Sequence, residues 1–149
     1  MTILLVDDEP EYRLIMKNVL NGEGWDVLLA ENGQEALERL KEHPVDLVVT
    51  DIYMPVMDGI KFHRTVRALP QFESLPFLFV SAYDDQHTLD AIKDPNHEGF
   101  ARKTRPVEEI LEWITYLSTP TDRRPKSPPS PMPLKSARMR RGGSNTPIY

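Results

Sequence analysis

The 149-residue chain is 40% hydrophobic and 28% charged, carries a net charge of −5 and contains no cysteine. That balance excludes a fibrous or wholly disordered chain, and the missing cysteine excludes disulfides and thiolate metal sites. The charge is uneven: residues 118–149 hold seven basic residues against one acidic, while residues 1–117 hold 11 basic against 22 acidic.

Met1-Thr2-Ile3-Leu4-Leu5-Val6-Asp7-Asp8 lacks a basic leader, and its apolar run is too short for a signal peptide or a membrane span. A cytoplasmic protein is the expectation. Ile3–Val6 reads as the first strand. A helical pattern follows on Tyr12, Ile15, Met16, Val19 and Leu20 and stops at Gly22. Val27–Ala30 is the second strand. The second helix starts at Asn32, an N-cap with Glu35 three residues on, and places Ala36, Leu37 and Leu40 on one face. Leu47–Thr50 is the third strand, and the helix after Asp58-Gly59 runs to about Leu69. Phe77–Val80 is the fourth strand, followed by a weak helical pattern over Asp85–Lys93 that Pro95 ends. Gly99–Arg102 is a weaker fifth strand, and Val107, Ile110, Leu111, Ile114 and Leu117 form the stripe of a fifth helix. Most of these strands are continuous apolar runs, as in parallel strands buried on both faces. Five βα units in series predict a doubly wound α/β sheet whose ligands sit at the carboxyl ends of the strands.

Beyond about residue 118 the chain holds seven of its 14 prolines and only scattered bulky apolar residues. Such a segment cannot offset its ordering entropy, so a folded body over 1–118 and a disordered tail over 119–149 are expected. Within the tail, Pro125–Pro133 favours polyproline II. Arg138-Met139-Arg140-Arg141 suits phosphate charge on nucleic acid or an anionic membrane surface. No recognition helix or stacking aromatic motif accompanies it, so sequence-specific DNA binding is not predicted.

Asp7 and Asp8 follow the first strand, Asp51 follows the third, Ser81 closes the fourth and Lys103 lies just past the fifth. A parallel sheet brings all five to one edge. Read singly, each has a plainer explanation, as a helix cap, a turn serine or a solvated lysine. Read together, crowded carboxylates with no histidine or cysteine suit Mg²⁺. A carboxylate beside that ion can act as a nucleophile towards phosphorus, and the charge that develops needs a cation such as Lys103 and a donor such as Ser81.

Asp7-Asp8-Glu9-Pro10, the block Asp51-Ile52-Tyr53-Met54-Pro55-Val56-Met57-Asp58-Gly59, then Ser81-Ala82-Tyr83 and Lys103, resemble the receiver domains of two-component response regulators. The spacings agree, with 43 residues from Asp8 to Asp51, 30 to Ser81 and 22 to Lys103. The resemblance covers about residues 1–117. It implies a flavodoxin-like sheet of order 2-1-3-4-5 with five helices. It also implies Asp51 as phosphoacceptor, and Mg²⁺ on Asp8, Asp51 and the Tyr53 backbone carbonyl with Asp7 acting through water. Ser81 and Lys103 would hold the phosphoryl oxygens, and Phe100 would be the switch aromatic, acting by packing because it lacks a hydroxyl. The implied partners are a sensor histidine kinase or histidine phosphotransfer protein, and a downstream protein on the face of the fourth helix, fifth strand and fifth helix. A homodimer linked to phosphorylation is a further partner it allows. On this reading the chain is a signalling switch rather than an enzyme.

Thr104 stands where the family usually has proline, so a trans peptide or a rearranged loop is expected there, with Arg102 or Arg105 as substitute cations. Tyr53 and Tyr83 flank the path of water to the phosphoryl group and suggest slow hydrolysis. His43, His63, His87 and His97 have no ligand spacing and read as surface or packing residues. Two rivals stay open: a degenerate receiver acting as a scaffold, and a Mg²⁺-dependent phosphohydrolase, which needs an acid where Tyr53 stands. A phosphate-gated electrostatic binder that uses the tail is a third, and the basic tail is also placed to fold back onto the acidic body and compete with Mg²⁺.

Overall fold

The computed structural model describes residues 1–83, 90 and 92–129. The predicted helix over Asp85–Lys93 falls largely outside the described residues, as do His87 and the tail from residue 130. The five strands β1 (Thr2–Val6), β2 (Asp26–Ala30), β3 (Leu47–Thr50), β4 (Phe77–Ser81) and β5 (Glu98–Arg102) form one parallel sheet in the order β2-β1-β3-β4-β5. Among the described residues there are four α-helices, α1 (Pro10–Gly22), α2 (Gly33–Glu42), α3 (Gly59–Arg67) and α4 (Val107–Ser118). None of the helices is long and apolar enough to cross a membrane.

Local chemistry sets the helix starts. Asn32 Oδ1 accepts from Glu35 N at 2.9 Å, as the Asn–Glu spacing predicts, and Asp58 Oδ1 accepts from Lys61 N at 2.8 Å. Pro10 opens α1, where a missing N–H costs nothing.

The sheet separates two cores. One holds Leu4, Val6, Val48, Phe77, Phe79 and Phe100 against α2 and α3, and the other holds Ile3, Leu5, Val49, Leu78 and Ala101 against α1 and α4. The continuous apolar strands thus bury both faces. Helix α1 departs from its reading: Met16 and Leu20 are buried, but Ile15 and its neighbour Leu14 are each 60% exposed. Trp113, which the α4 stripe left out, is 1% exposed and lies over Gly99, where an added Cβ would come within 2.5 Å of the indole.

Order also extends past the predicted body. Thr121–Arg123 form a 3₁₀ turn, and Arg124 donates to the carbonyls of Thr119 (2.8 Å), Leu117 (3.1 Å) and Asn96 (2.7 Å).

Candidate functional site

The register puts the predicted groups on one edge. Val6 pairs with Thr50 and Ser81 with Arg102, so Asp7 and Asp51 leave neighbouring strands side by side and Lys103 emerges next to Ser81. Asp51 N donates to Val6 O at 2.9 Å and Lys103 N to Ser81 O at 3.0 Å, which fixes the four strand ends.

Lys103 Nζ is the hub. It lies 2.7 Å from Asp7 Oδ2, 3.0 Å from Asp51 Oδ2 and 3.0 Å from Glu9 Oε1, and 4.4 Å from the centre of the Tyr12 ring. No cis peptide occurs among the described residues, and Thr104 does not prevent the lysine from reaching both aspartates. Of the two substitute cations, Arg105 is tied to Glu109 at 2.7 Å, and Arg102 is exposed at the end of β5.

Asp7 and Asp51 are 1% and 7% exposed, and burial raises both carboxyl pKa values despite the lysine. Burial opposes the charge of Lys103, but hydrogen bonds to Asp7 and Asp51 outweigh it and raise its pKa. Desolvation pushes the buried Tyr12 phenol up to about 12. Each aspartate keeps one oxygen on the backbone: Asp7 Oδ1 accepts from Glu9 N at 2.9 Å, and Asp51 Oδ1 from Ile52 N at 2.6 Å.

The loop after Asp51 is held close to it. An added Cβ on Gly59 would come within 2.0 Å of Asp51 O, so the Asp-Gly pair supplies a helix cap and then the one residue that fits. Val56 sits at φ 70°, a left-handed conformation costly for a β-branched residue.

Carboxylate oxygens of Asp7, Asp8 and Asp51 lie within 4.8 Å of one another, and Asp8 is exposed. Three hard oxygen donors with one lysine between two of them fit Mg²⁺ in charge and chemistry. A 350 Å³ cleft opens over them, lined by Asp8, Asp51, Tyr53, Ser81, Tyr83 and Lys103. Residues 3–115 match the response regulator receiver domain family. The chain belongs to that family.

Relatives divide by length. The chain is 36% identical over 124 residues to an uncharacterised 14.6 kDa protein of Leptolyngbya boryana, covering 82% of this chain and 95% of that protein. It is 42% identical to the transcriptional regulatory protein TrcR of Mycobacterium tuberculosis over 77% of this chain, but spans only 44% of TrcR. Among solved structures, the chemotaxis protein CheY4 of Vibrio cholerae superposes with a TM-score of 0.72 at 27% identity, covering 78% of this chain and 97% of that one. The response regulator TrrA of Thermotoga maritima, solved with Mg²⁺ and BeF, gives 0.67 at 29% identity over 78% and 97%.

In this receiver, Tyr53 and Tyr83 stand 40% and 62% exposed at the cleft rim, with ring centres 5.5 Å apart in an edge contact. Ser81 is 1% exposed and its Oγ accepts from Tyr83 N at 3.3 Å, which leaves its proton to donate elsewhere. Phe100 is 3% exposed in the core, on the strand that leads to Lys103. Glu9 and Tyr12 join the lysine as well: Glu9 ends the acidic run Asp7-Asp8-Glu9, and Tyr12 lies on the apolar pattern of the first helix.

The larger surprise lies near the opposite edge. His63, read as a surface or packing residue, is buried and bonded: its Nε2 is 2.8 Å from Glu98 Oε2. Arg67 Nε donates to the same oxygen at 3.0 Å, while Lys93 N and Asp94 N donate to Oε1 at 2.8 and 2.9 Å. Glu98 is 1% exposed. Burial alone would raise its pKa, but the His63 and backbone hydrogen bonds reverse that and bring it to about 2. Periodicity could not find this pairing, because the partners stand 35 residues apart on a helix and a strand.

Proposed function

We propose that Asp51 accepts a phosphoryl group from a phosphohistidine on a sensor histidine kinase or histidine phosphotransfer protein. The phosphorylated chain then signals through protein–protein contacts. The observation that carries this reading is Asp51 itself, 7% exposed at the floor of an open cleft, with Lys103 Nζ 3.0 Å from one carboxylate oxygen and backbone N–H on the other.

Ile52 N orients the carboxylate so that Oδ2 attacks. As the O–P bond forms, the bond from phosphorus to the donor's imidazole nitrogen breaks and the electron pair leaves with the imidazole. Asp8, Asp51 and the Tyr53 carbonyl would hold Mg²⁺, with Asp7 acting through water; when bound, the ion would supply positive charge against the phosphoryl oxygens. Lys103 passes from Asp51 Oδ2 to a phosphoryl oxygen and Ser81 donates to another. Phe100 follows Ser81 through packing, and the output face joins the segment before β5, β5 itself and α4. A homodimer through that face is a further use of the same change.

Tyr53 occupies the position where a phosphohydrolase of this chemistry needs an acid, so the product is a stored acyl phosphate rather than a turned-over substrate. A cytoplasmic location goes with the same reading. The tyrosine pair screens the acyl phosphate from water, and Tyr83→Ala shortens its lifetime.

Intact mass after incubation with Mg²⁺ and acetyl phosphate tests the proposal. One added phosphoryl group that is absent from Asp51→Ala supports it. No gain in the unaltered chain, even with a phosphohistidine donor, favours the scaffold.

A further inference from the structure

Helix α4 runs against the strand direction, so it ends near the sheet edge opposite Asp51, about 16 Å away for a five-residue strand. The tail starts there. Arg124 ties it down with its three carbonyl contacts and stacks on Tyr116, 4.9 Å from the ring centre. Two of those carbonyls, Leu117 O and Thr119 O, belong to the end of α4, where helix carbonyls lack partners and a cation is favoured. The start of the tail is therefore a docked strap.

The strap builds one wall of a 510 Å³ groove. Pro125 and Pro129 face Leu111 and Tyr116 of α4, and Glu112 and Glu23 supply carboxylates. Both acids are exposed and make no ion pair among the described residues, and Glu108 lies one turn before Glu112 on the same helix. The groove is thus lined by both apolar and acidic side chains.

We propose that this groove is the docking site for the chain's own segment 130–141, held in cis. The chain leaves the described residues at Pro129, itself a groove residue. The next twelve residues carry Met132, Leu134 and Met139 with Lys135, Arg138, Arg140 and Arg141, and residues 130–149 contain no acid. The apolar side chains match Leu111, Tyr116, Pro125 and Pro129, and the cations match Glu23 and Glu112.

Reach is sufficient. Six extended residues from Pro129 to Lys135 span up to about 20 Å, and the α4 stretch from Leu111 to Thr119 is about 12 Å long. A tether this short gives an effective concentration in the millimolar range, enough to hold a contact too weak to form between separate molecules.

The absence of cysteine makes the test clean. A nitroxide on Ala137→Cys of the full-length, isotope-labelled chain reports which amides lie near the tail. The expected result is selective broadening of Glu23, Glu112, Thr115 and Tyr116 amides at low salt. Most of it should be lost at about 1 M salt, where the Debye length falls to about 3 Å, and in the paired variant Glu23→Lys with Glu112→Lys. Arg124→Ala, which leaves the groove acids in place, should weaken it too. Absent or uniform broadening overturns the proposal, as does broadening centred on Asp8 and Asp51. Broadening seen only when spin-labelled and isotope-labelled chains are mixed assigns the groove to a second copy and equally overturns docking in cis.

Discussion

Two buried acid clusters sit near opposite ends of one sheet and are built in opposite ways. Glu98 receives two side-chain and two backbone donors, and its pKa falls to about 2. Asp7 and Asp51 share one lysine with Glu9, face Asp8, and have raised pKa values because burial outweighs their partners. A saturated carboxylate is a fastener, whereas an under-neutralised one is poised to take a cation or react with an electrophile. Saturation, rather than burial, is what differs between Glu98 and the two aspartates.

The largest way to break this comparison is Glu98→Ala. It strands His63 and Arg67 and leaves Lys93 N and Asp94 N without their acceptor. A loss of about 3–5 kcal/mol is expected in denaturant titrations, with Asp51 phosphorylation retained in the fraction that stays folded. A loss below about 1 kcal/mol would remove the fastener reading.

Acid titration sharpens it next. A depressed pKa means the Glu98 contribution is fully present above its unfolded value of 4.5 and is lost as pH falls towards about 2. Its size is about 3 kcal/mol. Asp7 and Asp51 work in the other sense: their raised pKa values favour the fold below 3.8, and that benefit is lost as pH rises through the folded values. Stability curves should therefore be flatter between pH 4.5 and 2 for Glu98→Gln than for the unaltered chain.

Mg²⁺ should act on one cluster only. At a hundredfold excess over its dissociation constant it adds about 2.7 kcal/mol at neutral pH. Thermal melts should show that gain in Glu98→Gln and lose it in Asp8→Asn. The smallest effect is Asp51→Asn without Mg²⁺, where relief of carboxylate crowding leaves stability unchanged or raised by about 1 kcal/mol. A loss above about 2 kcal/mol would mean that Asp51 is a fastener as well.

The site was legible because its chemistry is sequential with strand ends. Asp7, Asp51, Ser81 and Lys103 each lie at or just past an apolar run, and a parallel sheet brings such positions together whatever the details of packing. The strand order was carried by resemblance, not by the pattern. What stayed hidden depends on contacts between distant residues. His63 looks polar in an α3 pattern, and only its position opposite β5 gives it Glu98 as a partner. Ile15 fits the helical period of α1, yet that helix buries a narrower stripe of Met16 and Leu20. Arg124 read as one more tail cation, and the carbonyls it satisfies are invisible in composition.

Borohydride reduction of the phosphorylated chain tests the central claim most directly. It converts an aspartyl phosphate to homoserine, which peptide mass spectrometry can place. Homoserine at position 51 alone, formed only after incubation with Mg²⁺ and a phosphoryl donor, is the predicted result. Homoserine at 7 or 8, or at no position despite a phosphoryl gain in intact mass, would contradict the assignment of Asp51.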